Sequence, residues 1–442
     1  MTFMKNILIF ILLTCIPGLY GFAQTMELRQ EVAFLADSIG NRYPASNGDL
    51  RARAHLMRQF AAFGMESFEQ TFNIVESMWG EGSLSLTADS VSTSFSFGKD
   101  FVIQARSATD TLSAGYVVIF NGFPDSRPRL IQGKVVICPY KCVKGRTPTI
   151  AEMEQAGAAA LIYVNPPQKN VKQTFSKGGR IHSTHKIPVL TLDNNELKMF
   201  IPNGAADTLS QGFYAAPPSH KIHIATKHHE NHLQAANVIG IKKGYSNKYI
   251  IIGAHYDTVA PDNGNGEPVR GANDNASGVA MMLALAKRLN SIKTHHNIIF
   301  VAFSGEEKGC LGSKEFVARM PFRKECVKEM INLDMVGCLK QNLFYYKQFN
   351  SPMITPSDVQ SRTALQLTES EDALSDHYDF VKEGIPSTVF HTGPDDAIHT
   401  ADDIAGRLNY EGMSEILEFL TNYIITLSTT NCRTTDLAIQ TQ

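Results

Sequence analysis

From Tyr249 onward the chain alternates short, uninterrupted apolar runs with amphipathic helical patterns, and no other feature constrains the fold as much. Tyr249 to Ala254, Ile298 to Phe303, Met330 to Leu333 and Thr388 to Phe390 read as buried strands. Ala276 to Leu289 and Ser313 to Met320 have helical spacing. Met413, Ile416, Leu417, Leu420, Ile424 and Leu427 line one face of a last helix. Strands that are apolar on both faces need cover on both faces. The pattern therefore predicts an α/β fold, a three-layer sandwich around a mixed, largely parallel twisted sheet.

In such sheets, ligands gather beyond the carboxyl ends of the strands. His255, the pair Glu306-Glu307 and Asp334 each stand just past an apolar run. Asp274 lies in the loop before a helix, and His399 lies in Ile398-His399-Thr400, ahead of Asp402 and Asp403. Imidazole and carboxylate ligands suit zinc, and there are enough of them for two metal ions. Asp257 follows His255 by two residues, so the two side chains can share a strand face. A carboxylate there can accept the second imidazole N–H and fix the tautomer. Asp274 taken alone reads as a helix N-cap, but its two oxygens can instead bridge two metals. Adjacent acids are usually a solvated pair. After a buried strand they point into a cleft and diverge, so one can bind metal while the other faces substrate.

The rest of the chain sets the context. Its 442 residues are 43% hydrophobic and 19% charged with a formal net charge of -2, an ordinary globular composition with room for two domains. The near-neutral balance and absence of basic runs give no support to nucleic-acid binding. Residues 1–23 read as a removable signal peptide, with Lys5, the apolar run Ile7 to Leu13 and a small-residue site at Gly21-Phe22-Ala23. Export to the periplasm or medium follows, with no stable membrane insertion after removal. Of the seven cysteines, Cys15 falls in this leader; Cys138 and Cys142 are close enough to pair, but mostly buried thiols are expected. Leu28, Val32, Leu35 and Ile39 mark one packing helix closed by Gly40, and Asp49 is the expected N-cap of a second that runs to Phe63. Residues 24–83 form an N-terminal part, and 84–226 are a β-rich unit with few catalytic candidates. Residues 227–430 form the catalytic region, and 431–442 a polar tail. His228, His229 and His232 are expected to be a solvated linker, His295-His296 a polar turn, and His391 a structural histidine.

The motifs Ala254-His255-Tyr256-Asp257, Asn273-Asp274-Asn275-Ala276-Ser277-Gly278, Gly305-Glu306-Glu307, Asn332-Leu333-Asp334, Ser375-Asp376-His377 and His399-Thr400 occur in order. With these motifs the chain resembles the di-zinc exopeptidases of metallopeptidase family twenty-eight, the bacterial leucyl aminopeptidases among them. The segment 84–226 is similar to an inserted protease-associated domain. The resemblance implies the zinc exopeptidase fold and two zinc ions. Asp274 would bridge them, with His255 and Asp334 on one ion and Glu307 and His399 on the other. It implies Glu306 as general base, Asp257 as support for His255, and a cis peptide after Asp274. Its substrates would be peptides with a free N-terminus. Where some relatives carry an oxyanion-stabilising tyrosine before Ser-Asp-His, this chain has Asp372, and His377 is a candidate substitute or a structural residue. A carboxypeptidase of the same superfamily, which would need a cation such as Arg270 or Arg362 in the pocket, is the alternative. Glutaminyl cyclase and a non-catalytic, receptor-like binding protein are less favoured.

Overall fold

The computed structural model describes residues 17–78, 82–104, 107–120, 128–140, 146–166, 185–201, 212–227, 229–260, 268–359, 361–371 and 374–429. Most of the leader, Cys15, Trp79, Cys142, His228, Asp372 and the tail lie outside them. The chain divides into two compact units. One comprises the stretch up to Ile74 together with that from Leu233; the other is Val75–His232, wider than the Leu84–Thr226 segment marked out by composition.

The first unit begins with helix α1 (Pro17–Ala33), which continues as a wider π turn over Phe34–Ile39 and stops at Gly40, where φ is 84°. Helix α2 (Asn47–Ala62) follows. Its N-cap is Ser46, whose hydroxyl accepts from the Asp49 N–H at 3.1 Å, and not Asp49 as expected. Asp49 is instead buried inside the first turn, accepting from the Tyr256 hydroxyl at 2.7 Å and pairing with Arg53 at 3.3 Å. A side chain drawn into the core cannot fold back over its own helix end.

The strands of this unit are β1 (Glu66–Met78) and β2 (His229–Lys242), each of which runs a few residues past its boundary, with β3 (Tyr249–His255), β4 (Asn297–Phe303), β5 (Val327–Leu333), β6 (Leu343–Phe349), β7 (Gln366–Glu369) and β8 (Ser387–His391). Among the described residues they form one eight-stranded sheet in the order β1-β2-β4-β3-β5-β8-β6-β7. Strand β3 runs parallel to β4 and β5, β5 parallel to β8, and β6 parallel to β7; β2 pairs antiparallel to β4, and β6 antiparallel to β8. In the central strands β3 and β4 every residue after the first is buried, so both faces need cover. Helices α1, α2, α3 (Ser277–Asn290) and α6 (Tyr410–Thr429) cover one face, with the larger core around Ile250, Ile252, Ile298, Phe300 and Leu420. Helices α4 (Leu311–Ala318) and α5 (His377–Lys382) cover the other, with Ile251, Ile299, Val301, Phe316 and Phe380. This is the expected three-layer α/β sandwich. Side chains of this size each contribute about 1.5–3 kcal/mol when fully buried.

The second unit is β-rich. Val91–Phe95, Gly82–Ala88, Lys221–Thr226 and Asp110–Ala114 form a four-stranded antiparallel sheet. Six strands, with Tyr116–Ile119, Val135–Pro139, Ala160–Val164 and Val189–Leu192 parallel at the centre, form another. Its helix Ile150–Gln155 starts at a capping box between Thr149 and Glu152.

Candidate metal centre

Parallel pairing sets the site. His255, the last residue of β3, lies beside Phe303, the last of β4, and Leu333, the last of β5, lies beside Phe390 near the end of β8. The residues that follow these ends emerge on one edge of the sheet. There, His255, Asp274 and Asp334 offer ligand atoms within 4.8 Å of one another, as do Asp274, Glu307 and His399. The two triads share Asp274. His255 Nε2 lies 3.1 Å from Asp274 Oδ1 and 3.5 Å from Asp334 Oδ1. His399 Nε2 lies 3.1 Å from both Asp274 Oδ2 and Glu307 Oε2. Each Asp274 oxygen thus faces a different histidine.

The triads fit metal ions. Both ring nitrogens of His255, Glu307 Oε1 and Asp334 Oδ1 are buried and make no hydrogen bond. Buried polar atoms normally find partners. Ligands about 2.0–2.2 Å from a tetrahedral zinc lie roughly 3.4 Å apart, close to the spacings here. The protonation tendencies agree. Contacts with Asp274 and Glu307 push His399 up to about 10. Burial pulls His255 down, but the carboxylates of Asp334, Asp257 and Asp274 outweigh it and hold its pKa well above the usual value. Burial also pushes Glu307 up to about 7 and Glu306 well above the ordinary carboxylate range. The acids demand positive charge, which a dication bound to neutral histidines would supply.

The surrounding hydrogen bonds hold the candidate ligands from behind. The Asp274–Asn275 peptide is cis. The carboxylate of Asp403 accepts the N–H groups of Asn273 at 2.7 Å and Asp274 at 3.0 Å. Asn275 Nδ2 donates to Leu333 O at 3.0 Å, and its Oδ1 accepts from the N–H groups of Gly278 and Met335. A Cβ on Gly278 would lie 2.4 Å from both Leu333 O and Asn275 Oδ1, so only glycine allows α3 to approach β5 there. Ser375 Oγ donates to Asp334 Oδ2 at 2.6 Å and is itself held by Asn332 Nδ2 at 2.9 Å. Asp257 Oδ1 lies 3.6 Å from His255 Nδ1, beyond hydrogen-bonding distance. Its oxygens accept instead from the backbone N–H groups of Glu306 at 3.2 Å and Glu307 at 3.3 Å. The Glu306 carboxylate accepts from Cys310 Sγ at 3.6 Å and is absent from both triads.

Sequence reasoning did not single out Asp403, Asn273, Asn275 or Ser375 for these roles. Ser375 and the asparagines lay within quoted motifs, which was the only signal. His377 is fully buried with its ring 5.2 Å from that of Phe349. His391 shares a hydrogen bond with Ser370 and stacks on Tyr345. His296 is buried and bonded to Ser246, not part of an open polar turn. Among the described residues only Cys138 is a buried thiol; Cys310, Cys326 and Cys338 are partly exposed, against the expectation of mostly buried thiols.

Residues 237–424 match Peptidase family M28. This stretch is homologous to the M28 exopeptidases. With the two ligand triads in place, the chain is a metalloexopeptidase. It is 26% identical over 424 residues to Aminopeptidase YwaD of Bacillus subtilis (strain 168), covering 88% of this chain and 82% of that protein. Its fold is similar to the aminopeptidase from Aneurinibacillus sp. strain AM-1, with a TM-score of 0.66 at 21% identity over 91% of this chain and 94% of that one. It is also similar to BSAP, a zinc aminopeptidase from Bacillus subtilis, with a TM-score of 0.56 at 21% identity over the same shares, 91% and 94%.

Proposed function

We propose that the protein is an exported, two-zinc aminopeptidase that removes N-terminal residues from peptides. The reading rests on one observation above all: two candidate ligand triads share Asp274 beside a half-buried glutamate that belongs to neither triad, Glu306. His255 and Asp334 would hold one zinc, Glu307 and His399 the other, and Asp274 both. Bound there, the ions would lower the pKa of a water molecule and polarise the scissile carbonyl. Glu306 takes the proton released on attack and delivers it to the leaving amine. Asp257 fixes the Glu306-Glu307 backbone through its two N–H contacts, so base and ligand keep their divergent directions. The anionic surroundings favour a cationic α-amine over a terminal carboxylate. Arg270, which a carboxypeptidase could use for that carboxylate, pairs with Asp37 at 3.3 Å. The three bacterial proteins compared above are each named as aminopeptidases, which supports the same choice.

The leader-like sequence before Gln24 supports export, and among the described residues no helix is long and apolar enough to cross a membrane. The β-rich unit is read as a protease-associated domain. The test is mass spectrometry of free, N-acetylated and N-terminal-Gln peptides incubated with the purified chain, with and without a chelator. Chelator-sensitive trimming of free N-termini alone is expected. Loss of C-terminal residues from acetylated peptides, or of ammonia from N-terminal Gln, would overturn the assignment.

A further inference from the structure

Arg42 lies in the loop between α1 and α2 with its side chain fully buried. A buried guanidinium ordinarily meets a carboxylate, whose two oxygens match its planar N–H pairs. Arg42 instead directs five hydrogen bonds at backbone carbonyls. Nε donates to Tyr256 O at 2.7 Å, and Nη2 to Gly271 O at 2.8 Å. Nη1 donates to Arg270 O at 2.7 Å, Gly40 O at 2.9 Å and Leu35 O at 3.1 Å. Its own backbone N–H is held by Thr258 Oγ1 at 2.9 Å.

Three segments of the first unit therefore converge on one side chain. Two of them carry ligands: Tyr256 follows His255 directly, and Gly271 precedes Asp274 by three residues. The second has no slack. Gly271 has φ 58°, and a Cβ there would meet Asp274 O at 2.2 Å and Thr258 Cγ2 at 2.6 Å. Burial lowers the pKa of Arg42 to about 10, against the pull of Asp403, Asp257, Asp274 and Glu307, so its positive charge stands behind the acids of the site.

We infer that Arg42 is a positioning residue for the metal centre: its planar fork fixes the two chain segments that present His255 and Asp274 to a common cation. The inference rests on the two-metal reading above. A lysine keeps the charge but, with three donors on a single nitrogen, cannot reproduce the five hydrogen bonds that tie the three segments.

The test titrates Co2+ and Zn2+ alone into the metal-free full chain against a chromogenic chelator, at a temperature where circular dichroism shows each variant folded. Wild type and Leu427→Ala, a core change in α6, should take up two equivalents with equal affinity. Arg42→Lys and Arg42→Gln should bind at least tenfold more weakly and show an altered Co2+ d–d spectrum. Affinities and spectra matching wild type would overturn the inference. So would equal weakening in Leu427→Ala at matched stability, since Arg42 would then serve the fold alone. If neither Arg42 variant folds, Thr258→Val removes the hydroxyl that holds the Arg42 N–H. It should weaken metal binding at least threefold, and unchanged affinity would refute the role. A wild-type chain that takes no second equivalent sinks both this inference and the two-metal reading. One that binds two ions yet leaves every peptide intact sinks the peptidase reading only.

Discussion

Asp402 and Asp403 are neighbours of one residue type, yet the structure gives them opposite weights. Asp402 is exposed, while Asp403 is buried and accepts the N–H groups of Asn273 and Asp274 at 2.7 and 3.0 Å. Replacing Asp403 by Asn keeps the shape but turns one acceptor oxygen into an NH2 group. One of those two N–H groups then faces a donor, and the other loses a charged acceptor. Hydrogen bonds to charged groups contribute roughly 1.5–3 kcal/mol, and a buried donor left without a partner costs about 1–3 kcal/mol. These terms overlap, so the expected loss is about 3 kcal/mol. At roughly 2–4 °C per kcal/mol for a unit of this size, the melting temperature should fall by roughly 6–12 °C. Asp402→Asn should stay within about 0.5 kcal/mol of wild type. The assay is a thermal melt followed by circular dichroism in excess chelator, so that lost metal binding cannot imitate the effect. Equal melting temperatures for the two variants would refute the reasoning that Asp403 anchors the loop of the bridging residue.

Three further outcomes follow from the same geometry. Glu306→Gln should lower peptide cleavage by a factor on the order of 10²–10⁴ while still binding two metal equivalents, measured by steady-state kinetics and metal analysis; loss of metal would place Glu306 among the ligands. Asp274→Ala should abolish both metal equivalents together, because each triad loses a member, whereas Asp334→Ala should weaken one site only. Glu329 is fully buried, accepts from Thr388 and Tyr423 at 2.6 Å each, and is pushed up by burial from 4.5 to about 7. Its folded form holds a proton that the unfolded chain has released, so this group's stabilisation is full below pH ~4.5 and is lost progressively up to pH ~7. The span is worth about 3 kcal/mol. Glu329→Gln should therefore gain on wild type by about that amount between pH 5 and 8, as read by denaturant unfolding; parallel curves would contradict it.

Much of the architecture was legible because burial on both faces leaves an unmistakable trace. The run Ile250-Ile251-Ile252 admits only a central strand between two helical layers, and the structure places it there. His255 and Asp334 were visible as candidates because each directly follows such a run, and Glu306 and Glu307 because they stand just past one. Asp403 was not, since Thr400-Ala401-Asp402-Asp403 has the composition of a solvated loop and only a contact about 130 residues back in the chain distinguishes the buried acid. Asp49 misled for a related reason. Its position invites a cap, but the Tyr256 hydroxyl and Arg53 draw it inward, and Ser46 takes the cap. Arg42 left no trace at all, because its partners are backbone carbonyls, which every residue carries.

Asp274 is proposed to join two cation sites in one centre. Anomalous X-ray diffraction at the zinc edge, from crystals of the zinc-loaded chain, tests it most directly. Two peaks about 3.5–4 Å apart are expected, one against His255 and Asp334, the other against Glu307 and His399, with Asp274 between them. A single peak, or two that do not flank Asp274, would contradict it.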